Sequence, residues 1–291
     1  MPKSKWNLNT IYISERLQES LRPISRCAMT TVVAPMGYGK TTAVEWYLAE
    51  RAGAEAPYIV RISVYSSNLA IFWKSVQDAF ARAGFAFLRE YDCPTDGASG
   101  GLLIDDLCHA LTGEKSCYIF IDDFHLLTDK RAPGFLCALA GRLPPNVHLI
   151  LASRDLFLPA AELVRLGGKV YQIGTAQLRL NHTELAVYTK RCGTALSDEQ
   201  IDTLLYYSEG WFSAVYLNLR MFSEHGVLPD PNSDISSIFT AAMIDPLPEK
   251  QREFLAVMGL ADEFTVEMAQ FVMADAHAED LLAALTGQNA F

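Results

Sequence analysis

Thr30-Thr31-Val32-Val33-Ala34-Pro35-Met36-Gly37-Tyr38-Gly39-Lys40-Thr41-Thr42 is the stretch on which the fold turns. Its β-branched opening reads as a short buried strand, two glycines flank Tyr38, and Lys-Thr-Thr begins a segment with apolar residues at helical spacing. Strand, glycine loop and helix start, in that order, make a P-loop. Glycines let the main chain bend until successive N–H groups face one point, and the positive end of the following helix adds its dipole. The candidate phosphate cradle is therefore Ala34, Pro35, Met36, Gly37, Tyr38, Gly39, Lys40, Thr41 and Thr42, with ATP or ADP as the expected nucleotide. Lys40 is placed to neutralise the β and γ phosphates, and the Thr41 hydroxyl to ligate Mg²⁺. Ala34 stands where the pattern G-x-x-x-x-G-K-[ST] usually has its first glycine, and alanine is the smallest replacement.

Such a cradle needs a carboxylate across the sheet, and Tyr118-Ile119-Phe120-Ile121-Asp122-Asp123 supplies four apolar residues followed by two acids, the form of a Walker B strand. Asp122 is expected to hold Mg²⁺ directly or through water, and Asp123 to polarise the water that attacks the γ-phosphate. The next run, His148-Leu149-Ile150-Leu151-Ala152-Ser153-Arg154-Asp155, ends at the sheet edge where ligands of open α/β sheets gather. Arg154 is accordingly the candidate γ-phosphate sensor, because a guanidinium bridges phosphate oxygens bidentately; the alternative is a surface pair with Asp155. Asp122, Asp123 and Arg154 form the candidate catalytic set, and Thr41 with Asp122 the metal site. Phosphoryl transfer needs little beyond positioning and electrostatics, so His125 reads as a loop residue. Trp46, Trp73 and Trp211 read as core.

Outward from these motifs, strands Thr30–Val33, Tyr58–Val64, Cys117–Asp122, His148–Ser153 and Val170–Ile173 alternate with helices Thr41–Arg51, Leu69–Ala83, Leu102–Leu111 and Pro133–Arg142, an α/β layout with a parallel sheet. Glu90–Gly101 reads as an exposed loop. After Gly174 strands give way to helices. Asn181 with Glu184 and Ser197 with Gln200 have capping-box spacing, and Gly210 and Gly226 suit helix ends. Helices are expected over His182–Cys192, Asp198–Ser208 and Phe212–His225. A linker-like run, Leu228–Asp234, precedes the patterns Ile235–Met243, Glu249–Met258, Val266–Met273 and Ala278–Leu285. The expected domains are 1–177, nucleotide-binding; 178–228, helical; and 229–291, which stops without a terminal cap as a truncated chain would. A formal charge of -10 and a pI near 5.1 argue against a sequence-independent grip on nucleic acid. The six cysteines show no metal-site or disulfide spacing, and no stretch approaches the ~18 apolar residues of a membrane span. A soluble cytoplasmic protein with reduced thiols and no membrane partner is expected.

With these residues assembled, the chain resembles the N-terminal half of the MalT-like branch of the LuxR-type regulators, which are STAND-class signalling ATPases. The matching pieces are Ser14-Glu15-Arg16-Leu17, the Ala34–Thr42 loop, Ile121-Asp122-Asp123-Phe124-His125, Ala152-Ser153-Arg154 and Ser208-Glu209-Gly210-Trp211, and the likeness extends over nearly all of the chain. In that family alanine is usual at the start of the loop. The resemblance implies a P-loop NTPase sheet of the ASCE/STAND type, followed by an all-α helical domain and a winged-helix-like domain, and it adds Arg16 to the nucleotide-binding residues. It further implies a switch: ADP keeps the protein monomeric and silent, ATP with an inducer opens it to self-association and transcription activation, and slow Mg²⁺-dependent hydrolysis resets it. The family's sensor and C-terminal helix-turn-helix domains fall outside this chain, so DNA contact is expected only through the latter and no inducer is assigned. Nine acids between Asp245 and Asp280 against Lys250 and Arg252 set the last unit apart from a DNA-reading winged helix. The alternatives are a remodelling or loader ATPase, for which the chain lacks a basic channel, and a nucleotide-binding scaffold that does not hydrolyse. No Arg-rich kinase lid or guanine-reading N-K-x-D is present.

Overall fold

Strands of a parallel sheet covered on both faces carry apolar side chains on both faces; the runs at 117–122 and 148–153 are buried throughout, whereas the run at 58–64 leaves Arg61 and Ser63 exposed. The computed structural model describes residues 7, 8, 10–226, 228, 244, 247–261 and 264–286. Its strands are β1 (Met29–Val33), β2 (Tyr58–Ser63), β3 (Cys117–Asp122), β4 (Val147–Ser153) and β5 (Val170–Ile173), with every residue of β3 and β4 buried. All pairs are parallel, in the order β2-β3-β4-β1-β5. Strand β1 thus lies between β4 and β5, and the chain leaves it at a point where the connections diverge, the place at which open α/β sheets form a crevice. Register brings the loop ends together: Val33 is level with Ser153, and Ile121 with Leu151, so Asp122 and Ser153 end at one edge.

Alternation along the strands divides the core into two layers. Helices α1 (Glu15–Leu21) and α2 (Lys40–Glu55) cover one face, where Val44, Tyr47 and Leu48 meet Tyr118, Phe120 and Ile150. Helices α3 (Leu69–Arg82), α4 (Gly97–Leu111) and α5 (Arg131–Arg142) cover the other, against Ile62, Ile119, Ile121 and Leu149. Short helices α6 (Ala160–Leu166) and α7 (Thr175–Leu178) flank β5.

One local expectation needs correction. The loop over Glu90–Gly101 ends at Asp96, whose carboxylate accepts from the Ser99 N–H at 2.8 Å while Ser99 Oγ accepts from the Asp96 N–H. This capping box starts α4 in spite of its glycines. Helices also form at Glu15–Leu21, where Ser14 caps the first turn, and at Ala160–Leu166 after Pro159.

Residues 11–179 form one compact unit, and the described residues from Leu180 on, with residues 7, 8 and 10, form a second. The second contains α8 (His182–Arg191), α9 (Asp198–Ser208), α10 (Phe212–His225), α11 (Glu249–Met258), α12 (Val266–Met273) and α13 (Ala278–Thr286). Both expected capping boxes are present, at Asn181 and Ser197. The patterns at Ile235–Met243, most of the 228–234 linker, the acids Asp245, Asp262 and Glu263, and the two chain ends lie outside the described residues. Among the described residues no helix is long and apolar enough to cross a membrane.

Candidate nucleotide-binding site

The loop after β1 is shaped by two left-handed residues, Gly37 and Gly39, each with φ +76°. A Cβ at Gly39 would meet nothing within 4 Å, so glycine is required there by backbone conformation alone. Gly39 is the N-cap of α2 and has no side chain to cap it, which leaves the first N–H groups of the helix to whatever enters the loop. Ala34 does not need to be glycine. It is buried, has an ordinary φ, and its N–H extends the ladder to Ser153 O at 3.3 Å.

Lys40 is buried at the start of α2 and turns its ammonium back into the loop, donating to Ala34 O at 2.7 Å and Pro35 O at 3.0 Å. Burial pulls its pKa below the ordinary lysine value and the Arg154 charge adds to this, while Asp123, Asp122 and Asp155 act in the opposite sense. Asp122 is buried at the end of β3. Burial pushes its carboxyl up; the Thr41 hydroxyl, within hydrogen-bonding reach, holds it down, and the neighbouring Asp123 charge raises it again. The structure thus brings Lys40, Thr41, Asp122, Asp123 and Arg154 within electrostatic reach of one another at one edge of the sheet.

Asp123 adopts φ 53°, ψ 37°, the left-handed region that few residues other than glycine enter, and its N–H donates to Asp122 Oδ1 at 2.9 Å. Backbone in this region collects at functional sites because the surroundings must hold it there. The strained residue aims the chain into the short turn Phe124–Leu126.

That turn carries a residue the motif reading sets aside. Both ring nitrogens of His125 are buried and have no hydrogen-bond partner among the described residues. Burial lowers its pKa, Arg154 lowers it further and Asp123 opposes them. His125 therefore faces the same charges as Lys40. Its place beside the two acids was the one available signal.

Beside the loop lies a cavity of about 440 Å³ bounded by Ala34, Pro35, Arg154, Asp155, Gly174 and Thr175. Its far wall follows β5, since Val32 is level with Ile173, a contribution that no motif marks. Arg16 has a different setting: its guanidinium donates to Ala176 O at 3.1 Å and Arg179 O at 2.6 Å, tying α1 to the end of α7. Oxygen donors from Thr41 and Asp122 suit a hard cation such as Mg²⁺, which keeps most of its shell as water and phosphate oxygen. Among the described residues no cluster of three or more His, Cys, Asp or Glu side chains could hold a metal unaided.

Comparison with known proteins adds three findings. Residues 240–291 match the family model for the MalT winged helix domain. The chain is 21% identical over 306 residues to the HTH-type transcriptional regulator MalT of Vibrio campbellii, covering 98% of this chain and 32% of that protein. It is 23% identical over 211 residues to MalT of Yersinia pestis, covering 72% of this chain and 23% of that one. The chain thus spans a third or less of the length of these relatives. Among solved structures, the Walker-type ATPase of Pyrococcus abyssi aligns with a TM-score of 0.53 and 13% identity over 99% of this chain and 91% of that chain, a likeness of fold alone.

Proposed function

This chain is MalT-like over most of its length and its sheet is of the P-loop ATPase type; from that premise we propose that it is the ATP/ADP switch of a transcriptional regulator. The observation that supports this reading is the grouping of Lys40, Thr41 and Asp122: a buried ammonium inside the glycine loop and a hydroxyl against a buried carboxylate at the same strand ends.

In this reading the amides of the loop and Lys40 bind the phosphates, and the cavity along Gly174 and Thr175 receives the nucleoside. Thr41 Oγ1 and Asp122 would hold Mg²⁺, which when bound screens the charge of the β and γ phosphates. Asp123 orients a water and accepts its proton as the terminal phosphoryl leaves. Arg154 reports whether the third phosphate is present, by bridging its oxygens. Hydrolysis is slow, and the nucleotide state sets self-association. DNA contact belongs to a helix-turn-helix outside this chain.

Calorimetry with ATP and Mg²⁺ on the wild type and Lys40→Ala tests the site; a folded Lys40→Ala protein that binds as tightly as wild type would remove it. Light scattering with ADP and with ATP tests the switch. Identical masses in both states, with ATP bound, would leave a nucleotide-binding scaffold instead.

A further inference from the structure

On the sheet face opposite α2, unit 11–179 contains a second cavity, of about 420 Å³, distinct from the phosphate loop. Its floor is Ile119 and Ile121, and its walls include Phe72 and Trp73 of α3, Ile104 of α4 and Phe135 of α5. Protein interiors rarely leave voids larger than a water, and ~300–1,000 Å³ with apolar walls is the size of a small-molecule site.

The helices around it are built in a way that keeps it open. Gly97, Gly100 and Gly101 of α4 and Gly134 of α5 all line the space. None has a positive φ, and a Cβ at Gly97, Gly101 or Gly134 would meet nothing within 4 Å. Neither turn geometry nor crowding requires glycine at these three positions, although glycine weakens a helix. Gly97 and Gly134 are exposed, and the half-buried Gly101 is the one of the three whose missing side chain leaves room beside the cavity.

The charged lining residues are Arg131, Arg142 and Asp96. Asp96 is committed to capping α4. Arg131 pairs with Asp129 at 2.7 Å and Arg142 with Asp105 at 2.9 Å, and both guanidiniums are more than half exposed. The Arg142–Asp105 pair is exposed on both sides and exchanges readily, whereas Arg131 grips the half-buried Asp129 through two parallel hydrogen bonds; guanidinium is the donor best matched to a carboxylate.

We infer that this cavity binds a small amphipathic acid, its apolar body between α3, α4 and the sheet and its carboxylate at the rim guanidinium of Arg142. Ile121 and Phe124 line the same space and flank Asp122 and Asp123, so an occupant presses on the segment that aims the two acids. That coupling rests on the function proposed above; the binding itself does not.

The test is a fluorescence titration of the full chain with anilinonaphthalene sulfonate, a ring body with one acidic head, followed by displacement with octanoate. Wild type should take up one probe saturably and release it to octanoate. Gly101→Leu adds a side chain beside the cavity and favours the helix, and should weaken binding at least tenfold with the helical circular dichroism intact. Arg142→Gln should weaken octanoate several-fold and leave octanol unchanged, a comparison that stands even if the leucine variant fails to fold. Unsaturable uptake, or affinities unchanged in either folded variant, would overturn the inference. ATP binding measured in parallel reports on the phosphate loop, so loss there with probe binding retained would count only against the proposed switch.

Discussion

Gly210→Ala should destabilise the second unit far more than Gly226→Ala, although both glycines end a helix with nearly the same backbone, φ +75° and +74°. At Gly226 an added Cβ meets nothing within 4 Å, so only the left-handed conformation is penalised, by roughly 1–2 kcal/mol. At Gly210 the same Cβ would lie 2.1 Å from Leu180 O and 3.1 Å from Leu180 N, so one of the two backbones must move. Gly210 O also accepts the Leu180 N–H at 2.8 Å, and displacing it strands a buried donor, for about 1–3 kcal/mol. The two contributions add to about 2–5 kcal/mol, a large share of the ~5–15 kcal/mol that holds a domain together. Urea denaturation followed by Trp211 fluorescence and circular dichroism would measure both variants. An equal loss at the two positions would refute the close approach to Leu180 as the reason for the Gly-Trp pair.

Asp123→Asn keeps a residue that tolerates left-handed backbone, so it should slow single-turnover ATP hydrolysis at least tenfold while leaving nucleotide affinity within about twofold; an unchanged rate would remove Asp123 from the chemistry. Thr41→Val should abolish the strengthening of nucleotide binding by Mg²⁺, measured by calorimetry with and without chelator, and an undiminished metal effect would exclude the hydroxyl as a ligand. His125 and His148 both have pKa values lowered chiefly by burial from the ordinary 6.5. The unfolded chain therefore binds protons more readily: the stability these two residues contribute to unit 11–179 is fully present above pH 6.5 and is lost as pH falls through the lowered folded values. His148→Gln should flatten that slope in urea denaturation at successive pH values, and a slope unaltered by the substitution would show that His148 does not contribute to it.

The elements that the sequence discloses best are those whose burial is complete or whose ends are marked by a capping side chain or a glycine. Strands Cys117–Asp122 and Val170–Ile173 and helices Asp198–Ser208 and Phe212–His225 have the bounds their patterns indicate. The phosphate loop is legible because its conformation demands glycine at Gly37 and Gly39, and Lys40 and Thr41 follow at fixed spacing. Helix α4 is harder, since Gly97, Gly100 and Gly101 argue for a loop and only the Asp96–Ser99 capping box overrides them. Helix α1, seven residues long, is too short for its periodicity to stand out. His125 could not be placed from composition or spacing, because what distinguishes it is burial beside Arg154, a residue from the end of a different strand.

Lys40 shows why the site needs the whole sheet edge and not the loop alone. Its ammonium is held by the carbonyls of Ala34 and Pro35, so a phosphate must replace those two hydrogen bonds before it gains the lysine charge. Ala34 is fixed in turn by its N–H to Ser153, the residue before Arg154, and Ser153 Oγ donates to Asp155 O at 2.9 Å. Movement of Lys40 toward a phosphate therefore loosens a segment already pinned to the end of β4. Arg154, whose charge works against that of Lys40, is carried by the same pinned strand end. An incoming polyanion removes the repulsion between the two cations and adds an attraction to each, and both changes favour the same rearrangement. On this reasoning Lys40 and Arg154 act as one unit, and the double variant Lys40→Ala/Arg154→Ala should lose less affinity for ATP than the two single losses combined. Strict additivity would mean that the strand end does not take part in reading the phosphate.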